Sequence, residues 1–131
     1  MTDFITFKSL KRPPKPNTCL AAPADYCLAA EADFAPPVFP TSADALYQRL
    51  QDVISQQKRT TIVKADPATH QVRYIAKTPL IGFKDDIDIE VIPVDENNTT
   101  LAIYSRSRVG YSDLGANRKR VEELIAQLTA N

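Results

Sequence analysis

The stretch KDDIDIEVIPV, Lys84 to Val94, alternates one residue at a time. On an extended chain Ile87, Ile89 and Val91 fall on one side, and Asp86, Asp88 and Glu90 on the other. After the turn residues DENN, Asp95 to Asn98, alternation resumes in TLAIYSRSR, Thr100 to Arg108. There Leu101 and Ile103 share one face, and Tyr104, Arg106 and Arg108 share the other. Two such runs around a polar turn predict a β-hairpin with one apolar and one charged face. If the apolar sets share a core, a one-residue slip is excluded, because it would turn one of them into water. The remaining registers set acids beside basic residues. In one, Asp86 opposes Arg108, Asp88 opposes Arg106 and Glu90 opposes Tyr104; in the other, Asp86 opposes Arg106 and Asp88 opposes Tyr104.

Upstream, TTIVKA (Thr60 to Ala65) and QVRYIAK (Gln71 to Lys77) flank the Asp66-Pro67 turn signal and predict a second hairpin. A helix is expected from Ser42 to Gln57, with Thr41 and Asp44 as a capping box and Leu46, Leu50, Val53, Ile54 and Gln57 along one face. A last helix should start from a cap at Ser112 or Asp113 and bury Leu114, Asn117, Val121, Leu124, Ile125 and Leu128. The fold class is therefore α+β: a four-stranded antiparallel meander with both helices packed on its apolar face. Residues 1–40 hold seven of the ten prolines, which excludes a long helix or central strand there. Apolar anchors such as Phe4, Phe7, Tyr26 and Phe39 recur through them, so they predict an extended arm laid over the body, with Lys8, Lys11, Arg12 and Lys15 on its exposed side. The 131 residues suit one domain, the arm at 1–40 and the body at 41–131.

Sixteen Lys plus Arg balance sixteen Asp plus Glu, which argues against bulk nucleic-acid binding. No apolar run reaches the length of a membrane span. The start, MTDFITFKSLKRPPKP, carries an acid at Asp3 and no apolar core of a secretory signal, so the compartment expected is cytoplasmic, or exported with the leader absent from this chain. Cys19 and Cys27 are eight residues apart, which permits a small disulfide loop or two reduced thiols and fits no zinc pattern. His70, the only histidine, lies in the DPATH turn, where a solvated role is expected. Nothing in the pattern assigns a metal or a cofactor.

Chemistry concentrates at one end of the second hairpin. The chain has only three glycines, and Gly82, Gly110 and Gly115 all bracket that charged end. Asp85, Asp86, Arg106, Arg108, Ser112, Asp113, Asn117 and Arg118 converge there, beside the opening turn of the last helix. Helix N–H groups and guanidinium forks both favour anions. Two readings stand level. Either the cluster binds a small anionic molecule or the acidic segment of a protein partner, or it is a polar network that fixes the fold. An enzyme using Cys19 or the Asp85/Asp86 pair, and a purely structural interaction module, are the alternatives.

Three motifs carry a resemblance. Pro16-Asn17-Thr18-Cys19 is similar to a Pro-Asn-Cys element with one residue inserted, and Gly82 to Asp86 to a Gly-Phe-x-Asp-Asp element. Ser107, Arg108, Gly110, Ser112, Asp113, Gly115 and Asn117 match Ser-Arg-x-Gly-x-Ser-Asp-x-Gly-x-Asn without a gap. From about Pro13 to Leu128 the chain thus resembles the bacterial and plastid family catalogued as domain of unknown function 1499. The resemblance implies no reaction that can be carried over.

Overall fold

The computed structural model describes residues 4–129; Asp3 and the first residues of the expected arm lie outside that range. Strand β1 is Thr18–Ala21, helix α1 Ala43–Gln56, β2 Thr60–Asp66, β3 Gln71–Lys77, β4 Lys84–Asp95, β5 Asn98–Ser107 and helix α2 Ala116–Thr129. The meander β2-β3-β4-β5 is present as expected, but the sheet has five strands in the order β1-β5-β4-β3-β2. The extra strand comes from the arm. Thr18 to Ala21 pair antiparallel with Arg106 to Ile103 of β5, whose outer edge would otherwise present unpaired N–H and C=O groups. Prolines on both sides limit β1 to four residues.

Between β4 and β5 the register sets Asp86 opposite Arg106, Asp88 opposite Tyr104 and Ile89 opposite Ile103. The second of the two allowed pairings is therefore the one adopted. Ile87, Ile89, Val91, Leu101 and Ile103, with Val72 and Tyr74 of β3, form the face on which both helices pack. Leu46, Leu50 and Ile54 of α1 and Val121, Leu124 and Leu128 of α2 are all at most 1% exposed. Each such side chain contributes about 2 kcal/mol of burial.

Helix α1 is capped by Ser42, whose Oγ accepts from the Ala45 N–H at 3.2 Å, and not by Thr41. The Thr41 carbonyl instead accepts from the Thr99 hydroxyl at 2.7 Å, a bond that ties the chain to β5. Helix α2 begins after Gly115, so Leu114 precedes it and is 97% exposed rather than buried. The opposite face of the sheet is not left to solvent. The arm lays Phe7, Leu20 and Ala22 on Ala102 and Tyr104 there. Arg12 is not on the arm's exposed side. It bonds inward to the Glu31 carbonyl, Thr18 Oγ1 and Asp33 Oδ2, each at 2.9 Å.

Candidate functional site

Side chains alternate across a strand, so neighbours in sequence part company at the sheet. Asp85 and Ser105 face the helices, whereas Asp86, Asp88, Arg106 and Arg108 face the arm. The eight residues read as one charged cluster thus divide between two sides.

On the helix side the hub is Asn117, wholly buried in the first turn of α2. Its Oδ1 accepts from Ser105 Oγ at 2.6 Å and from Arg120 Nη1 at 2.8 Å. Its Nδ2 lies within donating distance of the Asn17 carbonyl (3.0 Å), Ser107 Oγ (2.9 Å) and Asp113 Oδ2 (2.6 Å). Arg120 Nη2 in turn donates to Asp85 Oδ2 at 2.8 Å, and that carboxylate is only 4% exposed. Asp113 also accepts from the main-chain N–H groups of Gly115 and Asn117, both at 2.9 Å. Partial burial opposes its ionisation, yet these donors hold its carboxyl below the ordinary carboxylate range. The start of α2 is therefore occupied by its own acid, and Ser112 Oγ takes the Leu114 N–H at 3.3 Å.

Arg120 was not among the candidates, and Arg118, which was, lies elsewhere. Arg118 reaches Glu122 at 3.2 Å and sits 5.0 Å above the Phe34 ring. The spacing carried the signal: Arg120 follows buried Asn117 by three residues, on the same helical stripe.

On the arm side Arg108 grips Asp86 with two bonds, Nε to Oδ2 and Nη2 to Oδ1, each 2.8 Å. That fork is the main reason the Asp86 carboxyl is held below its usual range. Asp88, 2% exposed, accepts from Arg73 Nε at 2.8 Å. Arg106 Nη2 lies 2.8 Å from its other oxygen, an ion pair without the angle of a directed hydrogen bond. The Arg106 guanidinium also stacks 4.8 Å above the Tyr104 ring. Between this face and the arm opens a cleft of about 360 Å³, lined by Lys11, Lys15, Arg106 and Arg108 with Ile5, Leu10, Pro13, Tyr104 and the polar Asn17, Thr18 and Ser107. Four cations line it and no carboxylate does. Lys11 and Lys15 are exposed and pair with no acid among the described residues.

Residues 10–128 match the family model described as a protein of unknown function, DUF1499. The chain belongs to the DUF1499 family. No curated protein sequence matches it significantly. Among solved structures it is similar to the di-domain ARO/CYC protein BexL from the BE-7585A biosynthetic pathway, at 15% identity and a TM-score of 0.54. That match covers 72% of this chain and 44% of BexL, so the chain spans less than half of that protein's length. It is also similar to a solution NMR structure from Thermobifida fusca, at 10% identity and a TM-score of 0.49, covering 86% of this chain and 85% of that one. At these identities the likeness is one of fold.

The three motifs that carry the DUF1499 resemblance are brought together in space. The Asn17 carbonyl takes hydrogen bonds from Asn117 and, at 3.1 Å, from the Ser107 N–H, and Asn17 Nδ2 donates to the Gly110 carbonyl at 2.8 Å. Asp85 and Asp86 reach Arg120 and Arg108 from opposite faces of β4. Gly82 and Gly110 take left-handed backbone, φ 77° and 83°, and a Cβ at either would meet nothing within 4 Å. These glycines serve turns, not a close approach.

Cys19 and Cys27 are both free thiols. Burial, aided by the nearby Asp33 carboxylate, pushes the Cys19 thiol up to about 12. Burial also raises Cys27. His70 has a partner after all: its Nε2 lies 2.7 Å from Asp44 Oδ1 of α1, and its ring meets Tyr47 edge-on at 5.5 Å. Among the described residues no group of three or more His, Cys, Asp or Glu side chains could hold a metal ion, and no helix is long and apolar enough to cross a membrane.

Proposed function

We propose that this DUF1499 protein is a non-catalytic binding protein whose ligand is a small anion with an apolar portion, held in the cleft between the arm and β5. The observation that supports this reading is the imbalance of the lining. Arg106 and Arg108 already have acids behind them, but Lys11 and Lys15 add two positive charges that pair with no acid among the described residues. A carboxylate or phosphate suits such a lining. Ile5, Leu10, Pro13 and Tyr104 offer it an apolar floor. The catalytic alternatives draw less support: a thiol near 12 supplies almost no thiolate, and Asp85 and Asp86 project from opposite faces and cannot act as a pair.

A thermal-shift series with inorganic phosphate, citrate and short-chain fatty carboxylates tests the proposal. A ligand at a hundred times its Kd should add about 2.7 kcal/mol of stability. Lys11→Ala/Lys15→Ala should abolish that shift and leave the unliganded melting temperature unchanged. No shift with any of these anions, or an undiminished shift in the double variant, would refute it.

A further inference from the structure

Of the ten exposed large apolar side chains among the described residues, six sit on two loops at one end of the sheet. Leu80, Ile81 and Phe83 belong to the loop joining β3 to β4, and Val109, Tyr111 and Leu114 to the loop joining β5 to α2. Lys77 pairs with Lys84, Asp85 pairs with Ser107, and the Arg108 N–H donates to the Lys84 carbonyl at 3.2 Å, so the loops are neighbours. Leu80 and Leu114 are 105% and 97% exposed, and both hold left-handed backbone at φ 68° and 55°. A leucine takes that conformation only at a cost, and here it points outward with nothing of its own chain to cover it. Such a concentration marks an interaction surface rather than ordinary scatter.

We infer that this end of the sheet docks on an anionic lipid bilayer, with the tips of the two loops entering the interface and exposed lysines resting on the headgroups. Two observations favour lipid over a protein partner. Both loops meet several of their backbone N–H groups with their own acceptors. Thr78 N–H donates to the Phe83 carbonyl (2.8 Å), Gly82 N–H to the Thr78 carbonyl (3.1 Å) and Phe83 N–H to Thr78 Oγ1 (2.9 Å). In the other loop Ser112 and Asp113 side chains take the Leu114 and Gly115 N–H groups. They therefore present hydrocarbon and ask little of a surface that offers no directed bonds. The charge is the second. Lys77, Lys84 and Lys119 are exposed around the loops, while the local acids Asp85, Asp86 and Asp113 are each taken up by Arg120, Arg108 or main-chain donors. The outward charge is positive. Docking of this kind does not depend on what the cleft holds.

The test is co-sedimentation of the full chain with vesicles of phosphatidylcholine, alone or mixed with phosphatidylglycerol. The chain has no tryptophan, so Leu80→Trp adds a single fluorescent reporter at the loop tip. Binding to the mixed vesicles is expected, weakened by salt, with a blue shift of the reporter. Leu80→Ser/Leu114→Ser should lower partition at least about tenfold, and Lys77→Gln/Lys84→Gln roughly twenty-five-fold, at about fivefold per basic residue. Both variants should melt like the parent. No binding to mixed vesicles, binding indifferent to the loop variant, or a reporter that stays red-shifted would overturn the inference. So would a loop-dependent dimer in solution, which would assign the patch to a second copy.

Discussion

Asn117→Ala is the sharpest probe of what the longest motif does. The amide makes charge-assisted contacts with Arg120 and Asp113, and it accepts the Ser105 hydroxyl at 2.6 Å. Hydrogen bonds to charged partners contribute about 1.5–3 kcal/mol each. Arg120 keeps Asp85, and Asp113 keeps two main-chain N–H groups, so neither is stranded outright. The Ser105 hydroxyl, wholly buried, loses its acceptor and costs about 1 kcal/mol more. The sum at the low end of that range is about 4 kcal/mol. For a chain of this size that lowers the melting temperature by roughly 15 °C. Thermal and urea melts followed by circular dichroism measure it. In the Asn117→Ala background, Ser105→Ala should cost less than about 1 kcal/mol, because the hydroxyl it removes has already lost its acceptor and keeps only the 3.2 Å bond it accepts from Arg120 Nη1. A loss under about 1 kcal/mol for Asn117→Ala alone would refute the structural reading.

Two further outcomes separate the two sides of the sheet. Arg108→Ala removes a half-exposed fork, with side-chain exposures of 44% for Arg108 and 19% for Asp86, so it should cost only about 0.5–1 kcal/mol at neutral pH. Arg108 lowers the folded carboxyl of Asp86, so the stabilisation is present above the ordinary carboxylate pKa near 4 and lost as pH falls through the lowered value. The gap between parent and Arg108→Ala melts should therefore close on acidification; a gap that widens would contradict the pairing. In a Cys27→Ser background, Cys19 should alkylate about a thousandfold more slowly than an ordinary thiol near pH 8, its thiol being pushed up to about 12. Rapid labelling of the folded protein would show that burial does not suppress the thiolate.

Much of the fold was legible because it rests on local periodicity. Ile87, Ile89 and Val91 against Leu101 and Ile103 dictate the hairpin, and Leu46, Leu50 and Ile54 dictate α1. Strand β1 was not legible. TCLA is four residues between prolines, with no period of its own, and its partner on β5 lies far along the chain. The cap of α1 fell one residue from its expected place: Ser42, a better N-cap type than threonine, takes the Ala45 N–H. The Thr41 carbonyl is held by Thr99 of β5, a contact sequence does not announce. Leu114 looked like the first rung of a helical stripe, but Gly115, at φ 83°, breaks the chain direction before the helix starts. The charged cluster divided for the simplest reason. Asp85 and Asp86 are adjacent, and adjacency on a strand means opposite faces.

That division bears on how the cleft and the network are to be separated by experiment. Asn17 belongs to both. Its carbonyl accepts from Asn117 on the helix side, while its amide donates to the Gly110 carbonyl, and Asn17 and Gly110 line the cleft. Arg12 meanwhile fixes Thr18, another lining residue, against Asp33. The arm is thus pinned where it crosses β5, and the pins set where Lys11 and Lys15 stand relative to Arg106 and Arg108. Loosening the hub would therefore move the cleft wall even if the hub never touches a ligand. A loss of anion binding in Asn117→Ala would follow from either role and decide nothing. Lys11 and Lys15, which form no ion pair among the described residues, report on the ligand itself.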